Sequence, residues 1–236
     1  MAQDYDTVVV GDDTDLLVLL CSLAHNANHK LFLKPEQKTN AVKPARCWDI
    51  QLMQQSLGEN VTDYLLFVHA ILGCDTTSRL YGIGKPSALK KVQSNEHFRQ
   101  QAAVFNSSNA TYLEIVAAGE KALVSLYGGK PGQTLDNVRL HTFYQKVSSS
   151  TTCVHPRCLP PSSAAAKYHS LRVYHQVQQW LGVTLPAEDW GWQIHDDQLV
   201  PMTTDLPPAP VYLLEAIHCR CKSGCMTTRC GCRKYG

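Results

Sequence analysis

Long apolar runs are what this sequence lacks first. No stretch approaches the roughly 18 uninterrupted apolar residues that a membrane-spanning helix needs. The longest candidate, Tyr64–Gly73 (YLLFVHAILG), has the length of a buried helix. The opening residues, MAQDYD, hold neither the basic nor the apolar part of a secretory signal. Acidic residues are missing after Ile217, where five basic ones stand: Arg220, Lys222, Arg229, Arg233 and Lys234. The chain as a whole is +2, so the first 217 residues are net −3, and polyanion binding is expected to begin at the tail. With no secretion signal, the ten cysteines do not read as a disulfide framework. Five are scattered and five crowd into Cys219–Cys232, which reads as metal ligation.

What is present suits a folded protein of 236 residues, long enough for one large domain or two small ones. The stretch Thr7–Leu20, TVVVGDDTDLLVLL, organises the rest. Val8–Val10 is β-branched and uncharged, as expected of a strand buried on both faces of a parallel sheet. Gly11 ends it, and Asp12, Asp13 and Asp15 fall where a helix over Thr14–Ala24 should begin. Ligands of open α/β sheets gather at the carboxyl ends of strands. An Asp here can cap the helix. Three within four residues repel one another unless a cation neutralises them.

Further along, Lys30–Leu33 reads as a second strand, and Trp48–Leu57 and Thr62–Leu72 read as helices. The last of these runs into Gly73-Cys74-Asp75-Thr76-Thr77, then Tyr81-Gly82-Ile83-Gly84-Lys85, then a helix over Ser87–Val92. Two glycines permit a tight turn whose backbone N–H groups can approach a phosphate. Lys85, Lys90 and Lys91 lie nearby in sequence.

Together, VVGDDTDLLVLL and LGCDTTSRLYGIGKPSALK resemble the second half of the flap-endonuclease/PIN-like 5′ nuclease superfamily. The resemblance covers about residues 7–92. It implies an α/β fold: a partial PIN-like parallel sheet with flanking helices and a helix–hairpin–helix. It also implies that Asp13, Asp15 and Asp75, with Asp12 beside them, hold Mg²⁺ or Mn²⁺ for phosphodiester hydrolysis. Gly82, Ile83, Gly84 and Lys85 then hold duplex DNA. In that family further acids come from an upstream strand and helix. Hydrolysis by two metals needs ligands around ions about 3.5–4 Å apart. This chain therefore reads as a fragment of a DNA-processing protein, inactive by itself. The alternative is a non-catalytic DNA- or chromatin-binding protein on a degenerate nuclease scaffold.

Beyond Val92, helices are expected over Phe98–Phe105, Thr111–Tyr127 and Asn137–Lys146, all assigned to packing. Residues 1–147 thus read as the nuclease-like half with a helical extension. Residues 148–210 read as a linker holding a helix over Ser163–Leu181, capped by Ser162, and a Trp-rich segment. Trp180, Trp190 and Trp192 are expected in the core. The segment LPPSSAAAKYHSLRVYHQVQQWLG resembles a block found in mobile-element-derived animal proteins. Cys153, Cys158, His169 and His175 approach zinc-finger spacing, but LPPSSAAA cannot supply the β-hairpin of such a finger.

Residues 211–236 form the Cys-rich tail. Cys219, Cys221, Cys225, Cys230 and Cys232, in the pattern C-x-C-x3-C-x4-C-x-C, resemble the start of a tesmin-type CXC domain. That resemblance implies Zn²⁺ held by thiolates and DNA held by Arg220, Lys222, Arg229, Arg233 and Lys234. DNA is the expected partner, no membrane is expected, and nuclear localisation follows only from the DNA reading.

Overall fold

The computed structural model describes residues 5–24, 29–36, 46–149 and 154–207. They fall in two compact units, Met1–Thr203 and Thr204–Gly236, and all the described helices and strands belong to the first. The class is mixed α/β and predominantly helical, with nine α-helices and two small sheets among the described residues. No helix among them is long and apolar enough to cross a membrane.

Strand β1 (Thr7–Val10) pairs in parallel with β2 (Leu31–Lys34), and the two-residue β3 (Trp48–Asp49) lies antiparallel on the far side of β2. The register sets Val9 beside Leu33 and Val8 beside Phe32. Leu31 and Leu33 are buried and Val9 packs against the core, whereas Val8 and Val10 stay 52% and 58% exposed. The expectation of a strand covered on both faces is therefore corrected. β1 is an edge strand, and side chains alternate between a covered face and an open one.

Helix α1 (Thr14–Leu23) follows Asp13, as expected. The helix read from Trp48 begins later, as α2 (Ile50–Leu57), because Asp49 takes an extended backbone and accepts the Leu52 N–H at 3.0 Å. The helix read over Thr62–Leu72 is two pieces, α3 (Glu59–Thr62) and α4 (Leu65–Leu72). Thr62 Oγ1 donates back to the carbonyls of Gly58 and Glu59, and Tyr64 leaves helical geometry. Every residue of α4 is buried.

Helices α5 (Lys85–Ser94), α6 (Glu96–Asn106), α7 (Tyr112–Leu126) and α8 (Leu135–Ser149) follow in short succession. Asn95 caps α6, and Thr111 with Glu114 forms a reciprocal capping box on α7. A 3-10 turn at Pro156–Cys158 leads to α9 (Ser163–Trp180), capped by Ser162. The chain then forms a hairpin that the sequence did not announce, β4 (Trp192–His195) with β5 (Gln198–Pro201). Its turn residues, Asp196 and Asp197, have φ of 49° and 58°, the left-handed region that suits a two-residue hairpin and that Asp tolerates.

The segment read as a linker holds a largely buried helix. α9 packs on α4, α6 and α7, and all but one of its residues from Ala166 to Gln178 are buried (Lys167 is the exception). Five of its polar side chains are tied to other segments. His169 Nε2–H donates to the Ile71 carbonyl at 3.0 Å, and Tyr174 Oη donates to Ser107 O at 2.9 Å. Gln178 donates to Phe105 O at 2.8 Å, and His175 Nε2 to Leu185 O at 3.1 Å. Arg172 donates to the carbonyls of Gly191 and Met202. Gly119 of α7 lets the two helices touch, since a Cβ there would overlap Ser170. Around this contact, Phe67, Phe98, Phe105 and Tyr174 form an aromatic chain with neighbouring ring centroids 4.6–6.5 Å apart. The tryptophans sit at its rim, half-buried, because indole rings here lie on or beyond helix ends: Trp180 stacks on His69, Trp190 on Tyr174, and Trp192 faces Arg172.

Burial pushes His169 down to about 4, opposed by its bond to Ile71 and reinforced by the Arg172 charge. The folded protein therefore refuses a proton that the unfolded chain accepts near pH 6.5. This contribution to stability is complete above about pH 6.5 and is lost as pH falls toward about 4, amounting to about 2 kcal/mol by pH 5. In His169→Gln, which keeps a donor for Ile71, denaturation midpoints at pH 7 and pH 5 should differ by correspondingly less than in the parent chain. An equal fall in both would show that His169 titrates normally.

Candidate nucleic-acid interface

The four acids of the sequence reading occupy four separate settings. Asp12 Oδ1 accepts the Glu36 N–H at 3.0 Å and so ties the β1 exit to the β2 exit. Asp13 Oδ1 accepts the Asp15 N–H at 2.9 Å as the cap of α1. Asp15 Oδ1 accepts from His69 Nε2 at 2.6 Å. His69 is 4% exposed and its ring stacks on Trp180 with centroids 5.8 Å apart, so the pair clamps α1 against α4. Asp75 is exposed in the turn after α4 and makes no hydrogen bond among the described residues. That turn is built instead by Thr77, which donates to Ala70 O at 2.6 Å, and by Thr76, which reaches Gln176 at 2.5 Å.

Magnesium is held by one or two carboxylates together with waters and substrate phosphates, at about 2.0–2.1 Å. Among the described residues no group of three or more His, Cys, Asp or Glu side chains is placed to hold one. Asp12, Asp13, Asp15 and Asp75 each have a separate setting. The five tail cysteines and the basic residues Arg220, Lys222, Arg229, Arg233 and Lys234 lie outside the described residues, as does Cys153.

The Gly-Ile-Gly turn is placed differently. Gly82 has φ +75°, and the chain passes through Gly84 directly into α5 with Pro86 in its first turn. Tyr81, Gly82, Gly84 and Lys85 are exposed, and Ile83 packs inward as the anchor. The amides of Gly82, Ile83 and Gly84 donate to no group among the described residues. Gly84 O instead accepts from Ser87 and Ala88, closing the first turn of the helix. The loop borders a concave surface of about 600 Å³ with Arg79 and Arg157 on its walls and no acidic side chain. Both guanidinium groups are exposed and make no ion pair or hydrogen bond among the described residues.

Sequence spacing pointed to Lys90 and Lys91 as the neighbouring charges. Lys91 instead lines a different cleft with Lys121 and Lys130, because six residues of helix rotate its side chain away from the turn. The arginines were missed. Arg79 stands within the second recognised motif, between Thr77 and Tyr81, and Arg157 is 72 residues beyond Lys85, brought back only by the path of the chain before α9. A resident Arg just upstream of the glycines was the one signal available in sequence. His69 was missed as well, although a single His in an otherwise apolar helix marked it.

Comparison with known proteins adds no relative: no family model, no curated protein and no solved structure matches this chain.

The settings of the acids predict a stability order in metal-free buffer. Asp15→Ala strands the buried His69 N–H and should cost about 1–3 kcal/mol. Asp13→Ala loses a helix cap, about 1 kcal/mol, and Asp75→Ala should stay within about 0.5 kcal/mol of the parent. Denaturant unfolding reads all three. A metal-ready cluster gives the opposite sign, because removing any one acid then relieves repulsion and stabilises the metal-free protein.

Proposed function

We propose that this chain binds the phosphodiester backbone of DNA, as a non-catalytic portion of DNA-processing machinery on a scaffold resembling the PIN-like 5′ nucleases. The observation that carries this reading is the acid-free concave surface on which Arg79, Arg157 and the unpaired amides of Gly82–Gly84 meet. Guanidinium groups match phosphate oxygens in a planar two-point geometry. Backbone amides add donors that are indifferent to sequence, so contacts here position a duplex without reading its bases. Lys85, exposed at the start of α5, extends the same positive edge. In this reading the tail adds a second, zinc-dependent contact through Cys219–Cys232, and nuclear localisation follows from the partner.

The four aspartates enter this reading as structural groups, with Asp13 and Asp15 fixing α1 and Asp12 joining the strand ends. Nuclease activity by the chain itself forms no part of the proposal.

Binding of a labelled 20-base-pair duplex, followed by anisotropy from low to moderate salt, tests the proposal. A chelator present throughout removes the tail's zinc-dependent share. The full chain should bind with an affinity that falls linearly on a logarithmic salt scale. Arg79→Gln combined with Arg157→Gln should flatten that slope by about 2 and weaken binding to unrelated sequences equally. Salt-independent binding, or an unchanged slope in the double variant, would contradict it.

A further inference from the structure

A second cavity opens beside the loop, bounded by residues 78–81, the Pro156–Cys158 turn and the outer side of α9. Its volume is about 310 Å³, at the lower end of the range of small-molecule sites. Four arginines line it, Arg79, Arg139, Arg157 and Arg172, and no carboxylate does. Arg172 is 4% exposed, and among the described residues its hydrogen bonds go only to the backbone carbonyls of Gly191 and Met202. Carbonyl dipoles solvate a guanidinium without neutralising it. A buried charge with no counter-ion is costly, and an anion in the cavity would offset that cost. Arg139 likewise donates to the Pro160 carbonyl and keeps its charge.

The remaining lining defines the rest of the ligand. Tyr81 and Tyr127 stand together, with the Tyr127 hydroxyl donating to Tyr81 O at 3.4 Å. Leu80, Pro156 and Leu159 add apolar surface. His169 also lines the cavity, is 5% exposed, and has its Nε2–H committed to Ile71. The ring is neutral at pH 7, and Nδ1 is buried with no hydrogen-bond partner among the described residues. A ligand seated here needs a multiply charged anionic group for the arginines and an apolar planar body for the tyrosine wall.

We propose that this cavity binds a phosphorylated ligand of the nucleoside monophosphate class, its phosphate among the arginines and its base against the Tyr81 and Tyr127 wall. The ligand can come as a free nucleotide or as the terminal nucleotide of a strand, and the chemistry recognised is the same. This site does not depend on backbone binding at the glycine loop. Arg139 and His169 belong to the cavity alone, whereas Arg79 and Arg157 border both surfaces.

Calorimetric titration of the full chain with AMP, with inorganic phosphate and with adenosine tests the proposal. AMP should bind, phosphate should bind more weakly, and adenosine should not bind measurably. Arg139→Gln should weaken AMP about tenfold or more and leave the salt slope of duplex binding unchanged. Arg157→Gln, which loses no hydrogen bond among the described residues and so leaves the fold intact, should weaken AMP by a similar factor. Lys130→Gln, on a different cationic cleft, should leave AMP affinity unchanged. Displacement of AMP by a 5′-phosphorylated single strand, and not by its unphosphorylated form, would assign the source to strand ends; failure of both to displace it would assign a free nucleotide. Absence of AMP binding overturns the proposal. So does equal affinity for AMP and phosphate, or AMP affinity indifferent to both arginine substitutions. Loss of duplex binding with AMP binding retained would refute the backbone reading alone.

Discussion

A polar helix held inside the protein by its own side chains is the constraint on which the rest of the structure depends. α9 carries His169, Arg172, Tyr174, His175 and Gln178 into the interior, and each gives its hydrogen to a backbone carbonyl of another segment. Buried polar groups are tolerated only when bonded, so each of these bonds also fixes the segment that accepts it. The carbonyls belong to the end of α4, the turn after α6, the stretch following α9 and the region of the C-terminal hairpin. Elements up to a hundred residues apart are thereby set against one helix. The apolar core fills the space between them, but the helix decides which loops meet.

The positive surface is a product of that arrangement. The loop after α4 lies beside α9 because Ile71 and Thr76 are both tied to it, through His169 and Gln176. The Pro156–Cys158 turn lies there because it leads into the same helix. Arg79 and Arg157 therefore come together without any contact between them that would explain it. The acids near the amino terminus are under the opposite regime. Each of Asp12, Asp13 and Asp15 has a local structural partner. Charge without a partner marks a recognition surface where it gathers on one face, and the unpartnered charge lining this concave surface is positive.

Local signals were legible in the sequence wherever short-range chemistry decides the outcome. Asp13 as the start of α1, Ser162 as the cap of α9, the helical stripe of α7 and the glycine turn before α5 are all set by neighbours within four residues. Boundaries shifted where two local preferences compete, as with Asp49 closing a strand while capping a helix, and Thr62 bonding backward to end α3. The covering of β1 was misread because β-branched residues favour any strand, whether open or enclosed. The role of residues 163–180 was unreadable for a different reason. Their composition is polar, and only the carbonyls waiting on distant segments make them an interior helix. The same holds for the site. The glycine loop is a sequence motif, but its arginine neighbours are a consequence of tertiary path.

Amide hydrogen exchange of the full chain, with and without a saturating duplex, tests the central claim most directly. Added protection should concentrate in peptides spanning residues 79–85 and 154–159, with residues 11–16 unchanged whether or not Mg²⁺ is present. Protection confined to residues 11–16 and 73–77, and appearing only with Mg²⁺, would contradict it and return the site to the aspartates.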